Sequence, residues 1–318
     1  MIPCELTDRA GDVLAAMVRD HARAWNLPQA FLGWLDRNVS FHNTLVDRIV
    51  TGAPRADREA IEATLGYHDP CLTTTELYNF LAIEQRPGQP APLLPLAAHD
   101  PGTVIVPDVG PLKLRKLAIL NGAHTALCPL ALQAGVPTVG AAMEMPAARA
   151  FLTRLLQDEV IPALDLPPDQ TRSFADEVLR RFADPHVHHL WHDFSLNAVA
   201  KIRARNQDRM TAYLARHGTA PPCLTLSLAA WVLFYRGEFP NAPALPPRDS
   251  AETVAHFASL PSAADPVVLA SAVLADDRLW GARLDSPAFC RALAARIAAL
   301  WRALDAGADL PALLTLAD

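Results

Sequence analysis

RKLAILNGAHTALCPLALQAG, residues 115–135, decides how the chain is read. It is an apolar helix carrying three polar side chains that folding does not require: Lys116, Asn121 and His124. At about 100° per residue, Asn121 lies roughly 140° and His124 roughly 80° around the axis from Lys116. The three therefore share one side, mixed with Leu117 and Leu120. Asn and His are poor in helix interiors. An amide or imidazole buried without a partner costs about 1–3 kcal/mol. Bonds to neighbouring backbone would offset that cost; so would a cleft in which an amine takes a proton while two donors hold an oxygen.

The rest of the composition narrows the class. The chain has 318 residues, 51% hydrophobic and 19% charged, enough for a substantial core. A net charge of −6 argues against a nucleic-acid partner. Five scattered cysteines without a C-x2-C pair fit a reducing cytoplasm and no zinc knuckle. MIPCELTDRAGD has neither a basic start nor an apolar run, so no secretory leader is expected. The apolar stretch 117–134 is broken by Asn121, His124, Pro129 and Gln133 and does not read as a membrane span.

In chain order, a helix capped by Thr7 or Asp8 is expected first, then a short one over 25–36. FHNTLVDRIVTG, residues 41–52, is dense in β-branched residues and reads as one strand. Residues 86–111 hold seven prolines and three glycines, which predicts a small β-meander or ordered loop. Beyond residue 115 everything reads as helix: amphipathic over about 146–160 and 170–182, apolar on nearly all sides from Pro222, and Ala/Leu-rich from Glu252 on. Asn241 to Asp249 reads as a Pro-rich loop. Four histidines fall within seven residues: His186, His188, His189 and His192. His188 and His192 have metal-ligand spacing, but no Glu, Cys or Asp sits at a matching offset, so the polar face of a helix is expected and no metal. Lys201, Arg203, Arg205 and Arg209 form a basic run, read as a solvated helix face or as cations attracting a carboxylate. No G-x-G-x-x-G, Walker loop, G-x-S-x-G elbow or Cys/His nucleophile pair occurs.

KLRKLAILNGAHTAL, with its K-x4-N-x2-H, resembles the active-site helix of the polyol-specific long-chain dehydrogenases, the mannitol dehydrogenase family, and most of all its tagaturonate reductase branch. The resemblance implies a mainly α, multi-helical substrate domain over 1–318 like the C-terminal domain of 6-phosphogluconate dehydrogenase, with the β-containing part at about 40–112. It implies Lys116 as general base, with Asn121 and His124 holding the reacting oxygen. NTLVDRIV and the segment RF-x-D-P…H-x7-N-x3-K add Asp47, Arg48, Asn197 and Lys201 as substrate-binding residues, with His189 a weaker match. An edge-strand ion pair is the other reading of Asp47 and Arg48. The chain departs from the pattern at Leu6, where mannitol dehydrogenases carry a substrate-binding Asn, and at Ala141 and Met145, where acidic residues are usual. The implied cofactor is NAD and the implied substrate a sugar acid or polyol such as altronate. With no dinucleotide fingerprint, the N-terminal Rossmann domain is expected to be absent, and three explanations stay open: a truncated sequence, a separate nucleotide-binding chain, or an orphan module that binds sugar acids or a partner without redox activity.

Overall fold

A computed structural model describes residues 1–54, 57–92, 94–237 and 246–318. Part of the Pro-rich loop expected at 241–249 therefore lies outside the described residues. The chain divides into two compact units, Met1–Leu114 and Arg115–Asp318.

The first unit combines helices α1 (Ala10–Ala24), α2 (Gln29–Asn38) and α3 (Arg58–Leu65) with strands β1 (Thr44–Asp47), β2 (Val50–Gly52), β3 (Thr74–Thr75), β4 (Phe80–Glu84) and β5 (Thr103–Val106). The expected meander is not what forms. β1 pairs antiparallel with β4 and β4 pairs parallel with β5, in the order β1-β4-β5, while β2 and β3 make a separate two-stranded sheet. Prolines mark where strands end but not which way the next one runs; a parallel neighbour needs a crossover, and residues 85–102 supply it. The single strand expected over 41–52 also breaks. Glu76 Oε1 accepts the Ile49 N–H at 2.5 Å and the Glu76 carbonyl accepts from Arg48 Nε at 3.1 Å, so one glutamate replaces the ladder partner there.

The start of α1 is Arg9, in the left-handed region at φ 50 and without a side-chain cap, rather than Thr7 or Asp8. Gly11 lets its first turn lie on the backbone of the next segment: a Cβ there would stand 2.4 Å from the His42 carbonyl carbon. A half-buried ionic network centred on buried Glu84 ties helix to sheet. Glu84 Oε1 accepts from Asn43 Nδ2 at 2.9 Å and Arg86 Nε at 2.7 Å, and Arg86 Nη2 reaches both Asp12 oxygens at 2.7 Å.

The second unit is helical. Its entry helix α4 (Gly110–Arg115) runs into a π-turn, Lys116–Asn121, and then α5 (Gly122–Gln133). There follow α6 (Val139–Met143), α7 (Pro146–Arg154) with a second π-turn at Leu155–Val160, α8 (Pro168–Phe182), α9 (Trp191–Phe194) and α10 (Ala198–Ile202) with a third at Arg203–Gln207. The remainder is α11 (Asp208–His217), α12 (Pro222–Arg236), α13 (Ala251–Ser259), α14 (Pro266–Ala275), α15 (Asp277–Trp280), α16 (Pro287–Asp305) and α17 (Leu310–Thr315).

Every residue of α5 is buried, and α12 is buried from Cys223 to Tyr235, as their all-round apolar sequences require. The two pack together around a defect. Pro129 has no N–H, so the Thr125 carbonyl loses its helical donor; Trp231 Nε1 of α12 donates to it at 2.9 Å instead. Gln133 Nε2 adds a bond to the Ala230 carbonyl at 2.6 Å. The first turn of α12 is capped from outside by buried Glu159, which accepts from Cys223 N at 2.6 Å and Leu224 N at 2.9 Å.

Candidate functional site

The π-turn changes the geometry expected for the key helix. It fits roughly one extra residue in relative to α spacing, so the eight-residue step from Lys116 to His124 behaves like about seven, close to two full turns. Asn121 then falls roughly 40° from Lys116 instead of roughly 140°. The straight-helix reading is corrected accordingly: the three side chains lie on a narrow stripe, not spread over one side. Lys116 and Asn121 are half-buried and His124 is buried.

Aromatic rings form the wall beside that stripe. The His124 ring stacks on Phe182 of α8 with centroids 3.8 Å apart and lies 4.4 Å from Phe194 of α9, with His189 edge-on at 5.4 Å. Among the described residues its Nε2 has no hydrogen-bond partner. Burial, joined by His189, Arg205, Arg181 and Lys201 nearby, holds the imidazole pKa well below its ordinary value. His124 is therefore neutral, with one ring nitrogen left over for a ligand. His189 is neutral for the same primary reason, burial taking it down to about 4.

Lys201 extends from α10 to donate to the Phe194 carbonyl at 3.0 Å, and burial, then the neighbouring Arg205, takes its amine down to about 8. Arg205 donates through Nη1 to Thr125 Oγ1 at 3.0 Å and to the Asn121 carbonyl at 3.5 Å. Neither cation has a carboxylate within salt-bridge distance among the described residues. Both cations lie close enough to His124 to act on its imidazole electrostatically.

The other expected residues fall out as follows. Asn197 is exposed, takes the left-handed conformation (φ 52) that Asn tolerates, and starts α10 with its N–H on the Arg248 carbonyl at 2.8 Å. Asp47 is buried in β1 and Arg48 bonds Glu76; both belong to the first unit. The histidines at 186–192 do not share a helix face, because residues 184–190 are not helical: His186 and His188 are exposed, and His189 turns to His124. No metal-holding cluster occurs among the described residues. The basic run is solvated only at Arg203; Lys201 and Arg205 are half-buried and Arg209 is buried. Their spacing of four was the available signal. Phe182, Trp191 and Phe194 had none, since ring packing between α8 and α9 leaves no mark in a sequence.

The family profile described as the mannitol dehydrogenase C-terminal domain matches residues 108–301, more than half of the chain and the whole of this stripe. The chain belongs to the mannitol dehydrogenase family. The profile of that family's Rossmann domain matches residues 1–93. This overturns the expectation that the chain is a C-terminal domain alone, and removes the ground for a separate nucleotide-binding chain. The expectation rested on the missing glycine fingerprint, which is one loop of such a domain; the other strands and helices have no comparable signature.

Altronate oxidoreductase of Escherichia coli O6:K15:H31 is 45% identical over 260 residues, and that of Cronobacter sakazakii 46% over 260 residues, in each case 82% of this chain and 53% of the relative. The chain thus spans about half the length of the curated relatives it matches. Among solved structures, a Pseudomonas fluorescens mannitol 2-dehydrogenase ternary complex with NAD and D-mannitol superposes with a TM-score of 0.70 at 23% identity, covering 89% of this chain and 55% of that one. A substrate-free D-sorbitol dehydrogenase does so with a TM-score of 0.70 at 19% identity, covering 98% and 62%. At such identities the likeness concerns the fold. No helix among the described residues is long and apolar enough to cross a membrane.

Proposed function

We propose that the chain acts in an NAD-dependent oxidoreductase that interconverts a sugar acid or polyol and its keto form, with altronate and tagaturonate as the preferred pair. The observation that carries this is the stripe itself: an amine, an amide and a neutral imidazole with an unpartnered Nε2 on one helix, against an aromatic wall. Lys116 takes the hydroxyl proton. The Asn121 amide and the His124 ring N–H hold the oxygen as charge builds on it, where donors already in place are worth most. Lys201, with Asn197 at the surface end of α10, holds the substrate carboxylate or a hydroxyl. Asp47 and Arg48 are assigned to the substrate by likeness of NTLVDRIV alone. By likeness to the family the helical unit is of the 6-phosphogluconate dehydrogenase C-terminal type, and the five scattered cysteines support work in a reducing cytoplasm.

Hydride chemistry belongs to the nicotinamide nucleotide, present as NAD in the mannitol 2-dehydrogenase complex. A pyrophosphate cradle is not found among the described residues. Gly11 and Gly102 are the close-approach glycines of residues 1–114, and the backbones of His42 and Asn79 already fill those positions. Gly52, Gly66 and Gly88, at positive φ, have nothing within 4 Å of an added Cβ.

The test is turnover of altronate with NAD by the chain and by Lys116→Ala. The variant should lose about a hundredfold or more in kcat, the usual scale of general-base catalysis, while calorimetry shows altronate bound nearly as before. Unchanged turnover in the variant would end the assignment of Lys116. Sugar-acid binding by the unaltered chain with neither nucleotide binding nor turnover would end the redox reading.

A further inference from the structure

Of the three π-turns among the described residues, Lys116–Asn121 packs against both others, Leu155–Val160 and, more extensively, Arg203–Gln207. The Arg203–Gln207 turn grips Lys116–Asn121 through side chains. Arg205 Nη1 bridges the Asn121 carbonyl at 3.5 Å and Thr125 Oγ1 at 3.0 Å, and that hydroxyl itself donates to the Asn121 carbonyl at 2.9 Å. Asn206 Nδ2 takes the next carbonyl, Gly122, at 3.3 Å. Arg205 and Asn206 thus hold the two carbonyls at the point where the widened turn returns to α spacing.

We propose that Arg205 is a positioning residue: it holds the Lys116–Asn121 π-turn in register, so that Lys116, Asn121 and His124 stay on one stripe. The proposal deepens the dehydrogenase reading and rests on it for its catalytic consequence. The alternative register is concrete. If the extra residue is expelled and the segment relaxes to α spacing, Asn121 swings to roughly 140° and His124 to roughly 80° from Lys116, and the three groups no longer meet one oxygen. A guanidinium suits the task because its planar fork fixes the direction of its donors; an ammonium on a flexible stem does not. Its acceptors are a carbonyl and a hydroxyl, not a carboxylate, which fits a brace within the protein.

The experiment uses the full chain with Arg205→Gln, Arg205→Lys and Thr125→Val, the last removing the hydroxyl that joins Arg205 to the turn. Amide hydrogen exchange across residues 116–125 should quicken by about tenfold or more in Arg205→Gln and Thr125→Val, and less in Arg205→Lys, while α12 and α16 exchange as before. Turnover of altronate should fall by about a hundredfold in kcat with KM little changed, the pattern of misplaced catalytic groups rather than lost binding, and free guanidinium ion should restore part of it to Arg205→Gln. Exchange at the turn unchanged in Arg205→Gln and Thr125→Val overturns the proposal, whatever happens to turnover. A rise in KM with kcat intact overturns it too, placing Arg205 on the substrate. If Arg205→Gln fails to fold, the comparison of Thr125→Val with the unaltered chain decides by the same criteria. If the unaltered chain does not turn over altronate, the dehydrogenase reading fails by itself, and hydrogen exchange alone decides whether Arg205 braces the turn.

Discussion

Lys201 and His124 show how burial sets two neighbouring nitrogen bases to opposite uses. Both are pulled down by burial, but from different starting points, so at neutral pH His124 is neutral while Lys201, at about 8, is still mostly charged. If Lys201 binds a substrate carboxylate, the bond is charge-assisted below about pH 8 and is lost as the amine deprotonates above it. KM for altronate should therefore climb as pH rises through about 8, and Lys201→Met should have a high KM that no longer changes there; steady-state kinetics between pH 6.5 and 9.5 reads this directly. An equally steep climb in Lys201→Met would place the titrating group elsewhere. At this scale the sequence was informative about identity and poor about surroundings. K-x4-N-x2-H pointed to three residues, but nothing near Arg205 distinguished a brace from a solvated charge except its place four residues beyond Lys201.

The elements were legible where burial is symmetric and illegible where a helix departs from α spacing. α5 and α12 are apolar on all sides and could only be interior helices. Their mutual fit depends on Pro129, which looked like an interruption and proves to be half of a tertiary bond, through the Thr125 carbonyl and Trp231 Nε1. Trp231→Phe should keep most of the ring volume yet cost about 1–3 kcal/mol by orphaning that carbonyl, seen as a lower denaturation midpoint with an unchanged m-value. A neutral result would mean another group takes the carbonyl. The π-turns have no sequence signature, since the choice between i→i+4 and i→i+5 bonding is made by whatever packs against the turn.

At the scale of the whole molecule the two units meet acid differently. In the helical unit, His124 and His189 have folded pKa values below the ordinary 6.5, so the stability they confer is complete above 6.5 and declines as pH falls toward about 4, where protonation would put charge among buried rings. In the sheet unit, burial pushes the Glu84 carboxyl up, but bonds from Asn43 and Arg86 outweigh it and hold it below 4.5; its contribution is complete above 4.5 and declines only below that. At pH 5.5, then, hydrogen exchange should quicken in α5, α8 and α9 before it does in β1 and β4, and Glu84→Gln should flatten the acid response of the sheet unit alone. Simultaneous loosening at pH 5.5 would show that other groups govern.

The sequence by itself determined the helical class, the interior helices and the identity of the three polar residues, because hydrophobic periodicity and rare buried polar groups are written along the chain. Only the tertiary structure decided the mixed strand order, the neutral state of His124 and the register that lines Lys116 up with it. Strand breaks, desolvation and turn width are set by whatever packs from elsewhere: Glu76 on Arg48 and Ile49, Phe182 and Phe194 on His124, and Arg205 on the turn.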